Sequence, residues 1–450
     1  MFFTGLSTLR TRLSRQLPRL LWLGLLMLGL SPRLVAHPMP NSLVQLDIQA
    51  SGVGAELQLP LSELQVAFGQ ALTEDPATLV ARLGPQLRAY LLAHVHAVGY
   101  DGRPWTVTVC RLGTSAVAAS PAGPYAELTA RLWLQPPPGV SSRVFTLTYD
   151  AIVHQLVTHK TLVAIRQDWD AGQVATAPVE VGVIQLDVVN NRVPPLPINQ
   201  GEGSVWRGFG SMLRLGMAHI AEGTDHLLFL LVLLLPAPLL VAGRRWGQFG
   251  GVRYSLGRLL KIVTAFTLGH SLTLLAGALG WLRLPGQPVE VLIAVSILVS
   301  AGHALRPLFP GREAWVAAGF GLVHGLAFAS TLANLTLDAS RLGLSILGFN
   351  LGIELMQLAV IGLTMPWLLL LSRTPTYALL RPVGAVLAAA AALAWLAERL
   401  AGQPNAATVL LAQALPYAPW LLAGLALLAL GSWGRAQRAL ATGIGGAKPE

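Results

Sequence analysis

The chain has 450 residues, 53% of them hydrophobic and only 12% charged, with a formal net charge of +10 and a single cysteine, Cys110. This composition excludes a disordered chain and a disulfide-held scaffold, because apolar residues are plentiful and one thiol cannot form an intramolecular bridge. Its arginines lie between apolar stretches rather than in one basic run, so the charge reads as membrane topology and not as a nucleic-acid footprint.

Residues 1–36 read as an export signal: Arg10, Arg12, Arg15 and Arg19 precede an apolar core, Leu20 to Leu30, with a cut after Ala36. The core is too short to span a bilayer, which takes about 20 residues. Leu34 at the third position before the cut keeps an uncleaved anchor as the alternative. Residues 37–205 predict an extracytoplasmic, β-rich, sandwich-like domain. Period-two alternation runs through 42–48, 56–59, 105–109, 126–132 and 144–149, between Gly and Pro turns. Leu61 to Leu92 reads as helical, broken by Pro76 and Pro85, and the Pro-rich stretch 194–197 reads as a linker.

Trp206 to Leu215 predicts an interfacial helix leading into a bundle of about seven transmembrane helices, at about 219–241, 262–281, 289–305, 315–333, 343–371, 382–400 and 417–433. The membrane part is 206–440, with a tail over 441–450. Arg244, Arg245, Arg253, Arg258 and Lys261 follow the first span, and alternate later loops carry Arg306, Arg312, Arg373 and Arg381, with Arg435, Arg438 and Lys448 in the tail. Opposite loops hold little beyond Arg283 and Arg341, which places the β-rich domain outside the inner membrane and the C-terminus in the cytoplasm.

An ionisable group in hydrocarbon costs roughly 2.5–3.5 kcal/mol on insertion scales, so clusters there point to function. On one straight helix His219 and His226 share a face, Glu222 lies close to it and Asp225 points to its side. His226, His270, His324 and Glu354 fall at one level on four spans, and Asn350, Glu354 and Gln357 form a polar stripe. Glu290 and His219 lie on the outer approach, while His303, beside Arg306, is left out of the site. Imidazoles with carboxylate and amide oxygens, and no thiolate in the membrane, suit nickel, cobalt or zinc and argue against Cu⁺ or an iron–sulfur site. No nucleotide-binding G-x4-G-K-[ST] loop is present, which argues against direct ATP drive.

His219-x5-Asp225-His226, Phe266-Thr267-Leu268-Gly269-His270-Ser271, Gly321-Leu322-Val323-His324-Gly325 and Phe349-Asn350-Leu351-Gly352-Ile353-Glu354 resemble the HupE/UreJ family, in its branch with an exported N-terminal domain. His37-Pro38-Met39-Pro40-Asn41-Ser42 is similar to the mature start of that branch. The resemblance implies a membrane protein that moves nickel or cobalt, related in style to permeases with an H-x4-D-H signature; the spacing here is x5. Its implied partner is a metal ion; the apolar spans add membrane lipids, and the exported domain reads either as a metal-capture unit or as one that binds an extracytoplasmic partner protein. Two other classes stay open: an intramembrane zinc hydrolase acting on a lipid, with Ser271 beside His270, and a haem-binding membrane protein with histidine axial ligands. In the β-rich domain His94 and His96 would share a strand face, and these two, with His154 and His159, read as packed side chains rather than ligands.

Overall fold

The computed structural model describes residues 40–441, apart from 119–122, 283, 334 and 336. The expected export signal, residues 37–39, Arg283 and the tail with Lys448 lie outside the described residues.

Among the described residues, nine strands and two α-helices form the N-terminal region. The strands are β1 (Ser42–Gln49), β2 (Gly52–Pro60), β3 (Val95–Gly99), β4 (Thr106–Val117), β5 (Tyr125–Gln135), β6 (Val144–Tyr149), β7 (Thr161–Asp168), β8 (Val179–Ile184) and β9 (Leu196–Asn199); the helices are α1 (Leu61–Phe68) and α2 (Leu79–His94). Alternation decides the faces: in β1, Val44, Leu46 and Ile48 turn inward while Leu43, Gln45 and Asp47 do not. One sheet has the order β4, β5, β2, β1, β7, β8, and a second the order β3, β6, β9. Among the described residues, only β1 and β7 pair in parallel. Leu46, Leu57 and Leu132 of the first sheet share one apolar core with Phe145 and Leu147 of the second and Leu87 and Leu91 of α2.

Two local expectations are corrected. Pro85 does not break its helix but lies inside α2; Ala81, whose carbonyl loses its donor, and Pro85 are both exposed, so water satisfies the orphaned acceptor. The stretch 194–197 is not all linker, because Leu196 and Pro197 open β9, an edge strand on which a residue without N–H is tolerated. Expressed alone as residues 37–200, this region is expected to melt cooperatively at a midpoint that EDTA leaves in place, since a single apolar cluster carries it. A chelator-induced drop beyond ~3 °C, about 1 kcal/mol, would make it a metal-stabilised fold.

The C-terminal region is helical: α3 (Val205–Glu222), α4 (Thr224–Leu234), α5 (Val252–Ala278), α6 (Gly286–Leu305), α7 (Glu313–Ala333), α8 (Ala339–Leu371), α9 (Tyr377–Ala401), α10 (Ala406–Ala414) and α11 (Ala418–Ala441). Among the described residues, α5, α6, α8 and α9 are each long and apolar enough to cross a membrane. Counting the bent pairs α3/α4 and α10/α11 as one span each gives six, and α7, apolar over Glu313–Ala329, is shorter. Leu268, Leu272, Leu363, Leu387 and Leu427 stand exposed on the outside of the bundle, the inverted surface of a multi-pass membrane protein.

The expected first span, 219–241, is corrected at both ends. Its helix breaks at Gly223 with a 71° bend and stops at Leu234, after which β10 (Leu239–Ala242) and β11 (Arg245–Phe249) form a hairpin. Trp206 to Leu215 is not a separate interfacial helix; it is the first part of α3, and its Met212 is fully buried. Glycines explain why: Gly216 of α3 and Gly352 of α8 let these two helices run parallel in backbone contact, and Gly269 and Gly321 do the same for α5 and α7. The N-terminal halves of α3 and α8 also receive the N-terminal region. Trp169 Nε1 donates to Ser345 Oγ (2.8 Å), Asp170 pairs with Arg341 (2.7 Å) and Ser211 Oγ donates to the Gly172 carbonyl (2.6 Å).

Candidate metal site

The site is built at the break between α3 and α4. A Cβ on Gly223 would come within 2.7 Å of the His219 carbonyl oxygen and 2.9 Å of His226 Nδ1, so glycine is what lets these groups converge. The break puts Asp225 and His226 in the first turn of α4, where the carboxylate accepts from His226 N (2.8 Å) and Nδ1 (2.9 Å) and complements the helix dipole. Despite the bend, the His219 and His226 rings remain 4.6 Å apart, and His226 lies 5.0 Å from His324 and His219 6.3 Å from His270, centroid to centroid. Thus α3, α4, α5 and α7 each bring one imidazole to a single cluster.

The hydrogen-bond network assigns where the ring protons sit. Asp225 holds the proton of His226 on Nδ1 and leaves Nε2 bare. Ser296 Oγ donates to the Ile293 carbonyl (2.7 Å), so toward His324 Nε2 (3.0 Å) it can only accept, which leaves His324 Nδ1 bare. Asn350 spends its amide N–H on the Ile346 carbonyl (2.8 Å), so its oxygen takes the Nδ1 proton of His270 (3.2 Å). His270 Nε2 and His219 Nε2 are buried with no hydrogen-bond partner. Two bare nitrogens, His226 Nε2 and His324 Nδ1, then face each other across 3.4 Å. Two nitrogens on one tetrahedral ion at ~2.1 Å lie about 3.4 Å apart. Fixing the proton on one ring nitrogen and baring the other is how carboxylates and amides prepare histidine to ligate a metal.

Among the described residues no three His, Cys, Asp or Glu side chains are disposed to hold one ion, so the arrangement is a set of paired donors rather than a closed cage. Phe229 and Phe266 pack on His324 (5.3 and 5.2 Å), and Phe328 and Phe349 on His219 (5.0 and 5.4 Å). Ser271 donates to the carbonyl of Thr267 on its own helix (2.7 Å) and is not aimed at His270 as a nucleophile.

The other expected residues lie outside the histidine cluster. Glu354 Oε1 accepts from Thr264 (3.3 Å), six residues along α5 from His270. Gln357 accepts from Thr267 (3.4 Å), so Asn350, Gln357 and Glu354 form a polar ladder down the α5/α8 seam away from the cluster. Glu290 lies on the opposite side, lining a cavity of about 180 Å³ with Glu222 and Asp225. His303 is apart from all of these, stacked on Phe309 (4.0 Å). The sequence reading missed Ser296, whose signal was a pair of serines, Ser296 and Ser300, one turn apart on an otherwise apolar helix.

In the N-terminal region His94 and His96 do not share a strand face, because His94 ends α2 and only His96 lies on β3. His94 pairs with Asp150 (2.7 Å) and stacks on His154 (4.3 Å). His159 joins Ser42 (2.8 Å) and Glu63 in a fully buried array beside Tyr149, whose hydroxyl burial holds protonated well above its usual range.

No curated protein and no solved structure matches the chain. The family model described as HupE / UreJ protein matches residues 197–399, a stretch that runs from β9 to the last turn of α9 and includes every residue of the site. Over this C-terminal part the chain is similar to the HupE/UreJ family.

Proposed function

We propose that the helical bundle passes a divalent transition-metal ion, nickel or cobalt first and zinc next, through the histidine cluster. The observation that carries this reading is the pair of bare nitrogens of His226 and His324, 3.4 Å apart, which repel one another unless they share a cation. Nitrogen donors with a carboxylate and an amide behind them favour Ni²⁺, Co²⁺ and Zn²⁺ over Mg²⁺ or Ca²⁺, and the family resemblance favours nickel and cobalt among these. An ion reaching the cluster from the cavity at Asp225 leaves along the α5/α8 ladder toward Glu354, and paired donors suit release better than a closed cage does. The basic loops orient the cavity side with the N-terminal region, outside.

The test is flux of Ni²⁺, Co²⁺, Zn²⁺ and Mg²⁺ into proteoliposomes of the full chain, with metal content measured after washing with chelator. Saturable Ni²⁺ and Co²⁺ flux that Mg²⁺ does not compete is the expected result. Stoichiometric zinc that survives chelator, together with no flux, would overturn it in favour of a resident metal centre.

A further inference from the structure

The cavity at the α3/α4 break carries one cation of its own. It is lined by the carboxylates of Glu222, Asp225 and Glu290 and by Arg399 from the last turn of α9. Arg399 Nε lies 2.9 Å from Glu290 Oε2, and its second arm, Nη1, holds Glu398 at 2.8 Å. The Arg399 carbonyl accepts from Gln287 (2.8 Å), which fixes α9 to the start of α6 at this point. The way from this cavity to the cluster passes Asp225, which holds His226. Any cation that approaches Asp225 through the cavity therefore meets a guanidinium already seated on Glu290.

We propose that Arg399 is a tethered cation that occupies Glu290 and that a divalent ion must displace it to reach Asp225, so that Arg399 sets the affinity and charge selectivity of the outer approach. This rests on the reading of the bundle as a metal path. A guanidinium carries one charge and holds Glu290 through a single close contact at a half-exposed position, so an ion of charge two competes for the carboxylate while Na⁺ or K⁺ does not. Glu398 then keeps the displaced side chain within reach, ready to return once the ion has moved on.

The test measures Co²⁺ binding to the full chain in detergent by calorimetry, beside Co²⁺ flux in liposomes with and without competing Na⁺. Arg399→Gln is expected to tighten Co²⁺ binding about 3–10-fold, lower KM to match at unchanged maximal rate, and let Na⁺ compete. Glu290→Gln is expected to weaken binding by a similar factor, and Arg399→Lys to restore Na⁺ exclusion. Unchanged or weaker Co²⁺ binding in Arg399→Gln overturns the proposal, because an arginine serving only to join α9 to α6 would give that result. Failure of the wild-type chain to pass Co²⁺ overturns the transport reading instead, and the binding arm still decides the role of Arg399.

Discussion

Alanine at His226 or at His324 is expected to reduce Ni²⁺ and Co²⁺ flux about 100-fold while the yield of monodisperse protein stays within about twofold of wild type. Each substitution removes one of two bare nitrogens set 3.4 Å apart, and one remaining imidazole cannot chelate. Yield should hold, because a helix bundle in lipid relieved of a buried polar group is rarely less stable. His270→Ala is expected to cost a similar factor through the loss of the buried Nε2. The residues that assign the ring protons matter less: Asp225→Asn and Ser296→Ala keep both nitrogens but free the tautomers, and effects of roughly 10–100-fold follow for such supporting partners. His303→Ala, stacked away on Phe309, should leave flux within about twofold. Flux in reconstituted liposomes at matched protein content is the measurement. A chain carrying alanine at His226, His270 and His324 together that still transports would show the cluster to be structural.

How far the sequence reached depends on how local the signal was. Strands such as Ser42–Gln49 announce their faces by alternation, and apolar runs such as those of α6 and α8 announce themselves by length, so both were readable. Matched depth grouped His226, His270 and His324, whereas His219, expected on the outer approach, has its ring 4.6 Å from that of His226. The break at Gly223 was not readable, since glycine inside an apolar run reads equally as a packing residue or a hinge, and only the crowding of His219, Asp225 and His226 around it makes the bend necessary. The same bend hid the role of Trp206 to Leu215, whose helix packs along α8 instead of lying in an interface. Arg399 escaped because an arginine at a helix end reads as an ordinary membrane boundary until its partner on another helix is known.

Alanine at Gly216 or Gly269 is expected to abolish most of the folded protein, a larger effect than any substitution of a polar residue in the site. A Cβ on Gly216 would come 2.0 Å from the carbonyl oxygen of Phe349, and one on Gly269 2.1 Å from that of Ala318. Both obstacles are backbone of the facing helix, so no side chain can rotate away and the two helices must part by more than 1 Å to reach ordinary contact at 3.4 Å. Overpacking of a tight contact costs about 1–3 kcal/mol, and this case belongs at the upper end or beyond it. The displacement also reaches the chemistry, because Gly321 and Gly325 of α7 rest on the backbone of His270, so parting α5 from α7 moves His270 relative to His324. Gly257, Gly319 and Gly362, which have nothing within 4 Å of their Cβ position, are the controls. Alanine there is expected to leave the melting midpoint unchanged or raise it, since it favours helix by up to about 1 kcal/mol over glycine. Midpoints and the fraction of monodisperse protein after extraction distinguish the two groups. If Gly216→Ala and Gly269→Ala melt with the controls, α3 with α8 and α5 with α7 are not in backbone contact, and the convergence of four imidazoles loses the scaffold on which it depends.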